Sequence, residues 1–355
     1  MEDTKKNIFL KNKSWAIILV AQFLLFFILS KIDFAIHFFS DFFEWKKKFH
    51  IMLFSGVRIS VGDIIYPLAF LFLIYSLIQI IKNRKSSTLK HLLIFLNTTY
   101  FIYQFFWGML YFQPLLIKKI SRTEVEISND NLKQLASKYL KLCQETREKV
   151  SEDDNGIFKI NDIQKIKEDI LKLQNHLPKQ INQKKAVPVL SVKSSLYDKF
   201  MNKTGILGYY NPFSAEAQYN PNLPATNIPF TLAHEMAHQL GYAREQEASF
   251  IAYLCVKNSD NLDLQYSTRL YVLKGLLRAL SQDKRNNDFI LNLTSQYSEK
   301  MKRDRKKEVE FYESNEGIIS DFFGITNELF LKSNQQEGRI TYSYFINLVL
   351  AYEQQ

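Results

Sequence analysis

A chain of 355 residues with a formal net charge of +10 is too long for one minimal core and divides naturally into two or three parts. Its two cysteines, Cys143 and Cys255, exclude a cysteine-rich metal site and allow at most one internal disulfide. The basic balance suits an acidic membrane surface or ordinary solvated lysines; no recognition-module signature and no basic stripe interleaved with aromatics accompanies it, so nucleic acid is not an expected partner.

Phe, Leu and Ile crowd the first third of the chain, and three apolar runs there predict three transmembrane helices. A helix needs about 20 apolar residues to cross the hydrocarbon core, where it satisfies its own backbone groups. The first run extends from about Ser14 to Phe39, interrupted by Lys31 and Asp33, and lacks a small-x-small cleavage site, so it reads as an uncleaved anchor. The second runs from about Ile59 to Ile81, and the third, Leu92 to Ile117, is uncharged throughout. Lys5, Lys6, Lys11 and Lys13 in the leader, with Lys82, Arg84, Lys85 and Lys90 between the second and third runs, predict a cytoplasmic amino terminus. Three spans then place everything after Ile117 outside the cytoplasm, although Lys46 to Lys48 and Lys118, Lys119 and Arg122 pull the other way.

The composition changes near Arg122, and the predicted organisation is a membrane domain over 1–120, a helical linker or accessory region over 121–185 and a third region over 186–355. Leu132, Leu135, Ala136, Tyr139, Leu140 and Cys143 form an apolar helical stripe, and a second helix is expected over Ile160 to Leu177. Ala186 to Tyr219, with Gly205, Gly208 and Pro212, reads as short strands and turns. Further helices are expected at Thr231–Leu240, Glu245–Lys257, Leu264–Ser281, Asn286–Val309, Gly317–Leu331 and Thr341–Tyr352. Cys255, among Phe250, Ile251, Leu254 and Val256, fits a small core residue.

The chemistry concentrates in His234-Glu235-Met236-Ala237-His238. Residues four apart share one helix face, so the two imidazoles can grip one zinc ion while Glu235 serves as general base toward an attacking water. Pro229 and Thr231 can start the helix and Gly241 can end it. A bland reading, two histidines on a buried face, leaves the intervening glutamate as a costly unpaired carboxylate. A catalytic zinc needs a third protein ligand and an open position. On a straight helix Glu245 would lie about 10 Å beyond His238, too far to share the ion. A turn at Gly241 to Ala243 would fold a second helix back and bring in Glu245 or, alternatively, Glu247, the other acid pairing with Arg244 or solvent. Tyr209-Tyr210 and Phe213 to Tyr219 are candidates for an edge strand pairing with extended substrate, and Glu216 for binding a substrate amine or holding a loop.

This arrangement resembles the gluzincin metallopeptidases, in which a histidine pair is completed by a glutamate on a following helix. Their second motif, Glu-x-x-Ala-Asp, is similar to Glu245-Gln246-Glu247-Ala248-Ser249, with Ser249 at the position of the aspartate. The likeness implies Glu245 as ligand and leaves a weaker partner for a ligand histidine. The chain as a whole resembles the DUF3810 family of bacterial membrane proteins. That resemblance rests on the amino-terminal spans, on Gly208-Tyr209-Tyr210-Asn211-Pro212-Phe213-Ser214-Ala215-Glu216-Ala217 and on Pro229-Phe230 leading into the histidine motif and on to Phe250. Together these imply an α+β chain with a mostly helical zincin-like domain and a small edge sheet over 186–355. The expected function is that of a membrane-anchored, zinc-dependent endopeptidase acting on envelope polypeptides. Alternatives are a non-proteolytic zinc-binding envelope protein and an amide hydrolase acting on cell-wall material. The implied cofactor is Zn2+, and the implied partners are a peptide or protein substrate and the lipid bilayer.

Overall fold

The computed structural model describes residues 2–83, 86–120, 128–333 and 341–354. The chain separates into two compact units, one of residues 1–113 with 211–216, the other of residues 114–210 with 217–355. Arg84, Lys85 and Arg122, which entered the orientation argument, lie outside the described residues.

The first unit contains α1 (Glu2–Leu29), α2 (Asp33–Phe54), α3 (Val61–Asn83) and α4 (Ser86–Phe106), followed by a 3-10 turn, Gly108–Phe112. α1 and α3 each contain a window long and apolar enough to cross a membrane, Asn12–Leu29 and Val61–Lys82, and little of either is buried. Phe27, Ile28, Leu68, Phe70 and Leu71 all stand exposed. A helix that is apolar on all sides and not covered by protein suits lipid rather than water. These two helices are the membrane-crossing candidates among the described residues, against three expected from the sequence.

The difference has local causes. The first run does not continue to Phe39: the helix stops at Leu29, and Lys31 and Ile32 turn the chain into α2. The third run is not one helix: α4 ends at Phe106, because Trp107 leaves helical geometry (φ −146°, ψ −50°) and a 3-10 turn follows. α4 as a whole rises about 31 Å, enough to cross the ~30 Å hydrocarbon core, but Lys90, His91 and Asn97 leave it without an apolar window of that length. Inside it Asn97 is buried and bonds to Gln22 and to the carbonyls of Trp15 and Leu93, so α4 meets α1 along a polar seam. Placing the two chain termini on opposite membrane faces depended on an odd number of spans, and the two candidates among the described residues do not supply it.

Glu216 also finds a structural role. Its carboxylate accepts from the backbone N–H groups of Val61 (3.2 Å) and Gly62 (2.7 Å) and from Ser214 Oγ (2.7 Å). A fully buried carboxylate against the first turn of α3 satisfies donors the helix cannot, and its charge complements the helix dipole. This favours the loop-holding reading over capture of a substrate amine.

The second unit is mostly helical: α5 (Ile117–Ile120), α6 (Asn129–Arg147), α7 (Ile163–Gln174), α8 (Asp198–Thr204), α9 (Ile228–Leu240), α10 (Glu245–Val256), α11 (Leu262–Leu280), α12 (Asn287–Ser295), α13 (Glu299–Glu313), α14 (Ile318–Ser333) and α15 (Thr341–Glu353). Strands β1 (Val192–Ser194), β2 (Gly208–Asn211) and β3 (Glu216–Tyr219) form a small sheet in the order β1-β3-β2, with β1 and β3 parallel and Val192 opposite Ala217. The expected strand region thus holds a sheet and also the short α8. The single helix expected over Asn286–Val309 is two, because Ser298 caps α13 by accepting from Met301 N. The stripe read on α6 is buried in one core with residues of α7, α9, α10, α11 and α15. Both cysteines are free and buried in that core, so no disulfide forms.

The turn between α9 and α10 positions the site. Gly241 adopts φ +104°, and its N–H together with that of Tyr242 bonds back to carbonyls of the last turn of α9. A side chain at that φ costs roughly 1–3 kcal/mol, so glycine lets the chain reverse immediately after His238. α9 and α10 pack against one another, and Ala233, Ala237 and Ala248 are fully buried in the core they share.

Candidate metal centre

α9 presents His234 and His238 on one face, one turn apart. Their Nε2 atoms lie 3.1 Å from one another. From the start of α10, Glu245 Oε2 stands 3.1 Å from His234 Nε2 and Oε1 stands 3.6 Å from His238 Nε2. These three residues form a group whose donor atoms could hold a metal ion. Tetrahedral zinc with bonds of roughly 2.0–2.1 Å sets its ligand atoms roughly 3.3 Å apart, so the observed separations fit the ion without rearrangement.

The other ring nitrogens fix the orientation of the imidazoles. His238 Nδ1 lies 2.6 Å from the carbonyl of Tyr242, which can only accept, so the proton sits on Nδ1 and the Nε2 lone pair faces the cluster. His234 Nδ1 lies 3.0 Å from Ser249 Oγ, which in turn bonds to the hydroxyl of Tyr271 on α11. Ser249 thus holds the far side of the His234 ring, and Tyr271 braces it. Tyr271 stacks on Phe230 at a centroid distance of 3.8 Å, which ties this support to the first turn of α9. Sequence reasoning missed Tyr271 because nothing local marks one tyrosine among 19.

Glu247 points elsewhere. It accepts from Leu116 N at 2.8 Å and pairs with Arg244 at 3.1 Å, so the structure brings Glu245 and not Glu247 to the histidines. The pairing anticipated for Arg244 is present.

Glu235 is buried, and its Oε2 makes no hydrogen bond among the described residues. Gly208 of β2 lies against it. A Cβ at residue 208 would fall 2.8 Å from Glu235 Cγ and Oε1 and 2.7 Å from the Gln218 carbonyl, so only glycine lets the strand approach this carboxylate.

Burial raises the Glu235 carboxyl to about 8, Glu245 adding to the rise and His238 opposing it. For Glu245 burial acts upward too, but His238 and His234 outweigh it and hold the carboxylate far below its ordinary range. Burial lowers His234, with Glu245 opposing. Burial also disfavours charge on His238, yet Glu245 and then Glu235 overcome it and raise that imidazole to about 9. A site free of metal therefore stores a proton where a cation would sit.

A family model described as a protein of unknown function (DUF3810) matches residues 38–350. No curated protein and no solved structure matches the chain.

Two outcomes follow from this geometry. Glu245→Ala should abolish stoichiometric zinc in the purified chain, whereas Glu247→Ala should keep it, both read by metal analysis; full occupancy after Glu245→Ala would exclude Glu245 as a ligand. Binding needs His238 neutral and favours Glu235 ionised, so below about pH 9 each ion displaces at least one proton. Raising the pH removes the competing protons, so apparent zinc affinity should climb about tenfold or more per pH unit from about pH 7 and flatten above about pH 9. Chelator competition measures this, and a profile flat with pH would contradict the assigned proton.

Proposed function

The chain belongs to the DUF3810 family, whose description assigns no activity, and from the geometry we propose a membrane-associated zinc protein that hydrolyses amide bonds. His234, His238 and Glu245 would hold the ion, and the endopeptidase reading names the bond cut as a peptide bond in envelope or membrane-associated polypeptides. Zinc, when bound, supplies Lewis-acid polarisation of a carbonyl and a nucleophile at neutral pH. The protein's own residues do the rest. Glu235 takes the proton of the attacking water and returns it to the departing amine nitrogen, which balances the hydrolysis. A divalent cation nearby favours the ionised form of this buried carboxyl. The bonds to Ser249 and Tyr242 keep both imidazoles turned toward the ion.

The observation that carries catalysis beyond binding is Glu235. A buried carboxylate oxygen with no partner is costly, and a site that only stored metal would have no use for it. A second reading, a non-proteolytic zinc-binding envelope protein, needs the three-ligand cluster alone, and the cluster by itself supports it directly. No feature of the described residues specifies a peptide, so cell-wall amides remain a candidate substrate class.

Glu235→Gln separates the readings. It should keep zinc and lower hydrolysis by about 100- to 10,000-fold, the usual contribution of a general base. Comparative proteomics of the cell envelope between wild-type and Glu235→Gln cells reads activity and substrates together. Full rescue of a deletion phenotype by Glu235→Gln would leave the non-proteolytic reading standing.

A further inference from the structure

In the first unit, α2 joins one membrane-crossing candidate to the other, yet it holds no apolar window long enough to cross. With α1 and α3 as the spans, the end of α1 and the start of α3 lie at the same face of the bilayer, and α2 must be accommodated there. Its packing shows how it runs. α1 packs along α4: Phe23 and Phe26 meet Tyr100, and hydrogen bonds join Gln22 and Trp15 to Asn97. α2 instead meets the end of α4. Phe105 lies against Phe38, Phe39 and Phe42. Its neighbour Phe106 lies against Phe42 and His50 and accepts from Lys46 Nζ on its carbonyl. Two successive residues of α4 thus touch α2 over about three turns, so α2 crosses the end of α4 and does not run its length.

The surface of α2 divides into three stripes. Ala35, Phe39, Phe43, Lys46, Lys47 and His50 are buried against the rest of the unit. Phe34, Phe38, Trp45, Phe49 and Met52 recur at helical spacing and form an exposed apolar stripe. Phe34, Trp45 and Met52 are 82%, 63% and 70% exposed. Asp33, His37, Asp41 and Lys48 form an exposed polar stripe beside it. A helix in water has the reverse order, apolar residues inside and lysines outside. Here Lys46 is satisfied inside by the carbonyls of Phe106 and Pro212, and Lys47 by Glu44, while the aromatic rings face out. Exposed Phe27 and Ile28 at the end of α1 and Ile59 and Ile64 at the start of α3 flank this helix in the chain, so its apolar stripe continues the lipid-facing surface of both spans. Water alone does not suit the apolar stripe, and hydrocarbon alone does not suit the polar one. The boundary between the two suits both, and it is where Trp is enriched.

We propose that α2 lies in the plane of the membrane interface. Its stripe from Phe34 to Met52 is sunk among the upper acyl chains, and its stripe from Asp33 to Lys48 faces headgroups and water. The partner of this surface is lipid. The inference rests on α1 and α3 crossing the bilayer and on none of the zinc chemistry.

The test is spin-label accessibility in the full chain, reconstituted in vesicles of phosphatidylcholine with phosphatidylglycerol. Labels go singly onto Phe34→Cys, Phe49→Cys and Met52→Cys, and onto Asp41→Cys and Lys48→Cys. All five positions are exposed, so the substitutions spare the core. The wild-type chain, whose two cysteines are buried, sets the labelling background. Collisions with oxygen relative to an aqueous nickel chelate should be severalfold higher on the apolar stripe than on the polar one. Immersion should be shallow, roughly 5–10 Å, and alike at Phe34 and Met52. Those two residues are about 27 Å apart along the helix, so an α2 that spanned the bilayer would show very different depths. Equal water access on both stripes overturns the proposal. So does spin–spin broadening on the apolar stripe, which would mark a second copy of the chain as its cover, and so does a steep change of depth along α2. A label at Phe70→Cys, within α3, checks the premise separately: deep burial there with α2 in water overturns only the placement of α2, and water at Phe70 overturns the span as well.

Discussion

Lone-pair donors packed together inside a protein repel one another unless a cation or a proton stands between them. In this chain two imidazole nitrogens 3.1 Å apart and a carboxylate 3.1 and 3.6 Å from them converge at the meeting of α9 and α10. The surroundings hold them there, because Tyr242 and Ser249 fix the far side of each ring. Against its burial, Glu245 and Glu235 raise the His238 imidazole to about 9, so a proton competes for the same lone pairs. The same lone pairs could serve a metal ion as ligands. Glu235, the strand at Gly208 and the brace from Tyr271 are all arranged around that one convergence.

The convergence was largely legible in the residues. A spacing of four puts His234 and His238 on one face, and Gly241 marks where the helix must turn for a third ligand to arrive. Choosing Glu245 over Glu247 needed three dimensions, since two acids two residues apart on one helix point in different directions. Glu247 is drawn off by Arg244 and the Leu116 N–H. Gly208 was visible as a glycine among turn signals, but its use is a close approach to Glu235, which no local pattern encodes.

The membrane portion was read less well, for a physical reason. Absence of charge measures hydropathy and not helix continuity. The run through Leu92 to Ile117 has no charge, yet Trp107 and the 3-10 turn break it, and Asn97 makes its helical part a partner for α1. Conversely Lys46, one of the charges weighed for orientation, is buried in α2, bonded to the carbonyls of Phe106 and Pro212. α1 and α3 keep the apolar exposure that lipid favours.

The central claim is that His234, His238 and Glu245 together form a metal site, and X-ray absorption at the zinc edge of the purified full chain tests it most directly. The account predicts about one zinc per chain, bound through imidazole nitrogen and carboxylate oxygen at roughly 2.0–2.1 Å with no sulfur neighbour. A sulfur scatterer at roughly 2.3 Å, or an unchanged spectrum and zinc content after replacing both histidines by alanine, would contradict it.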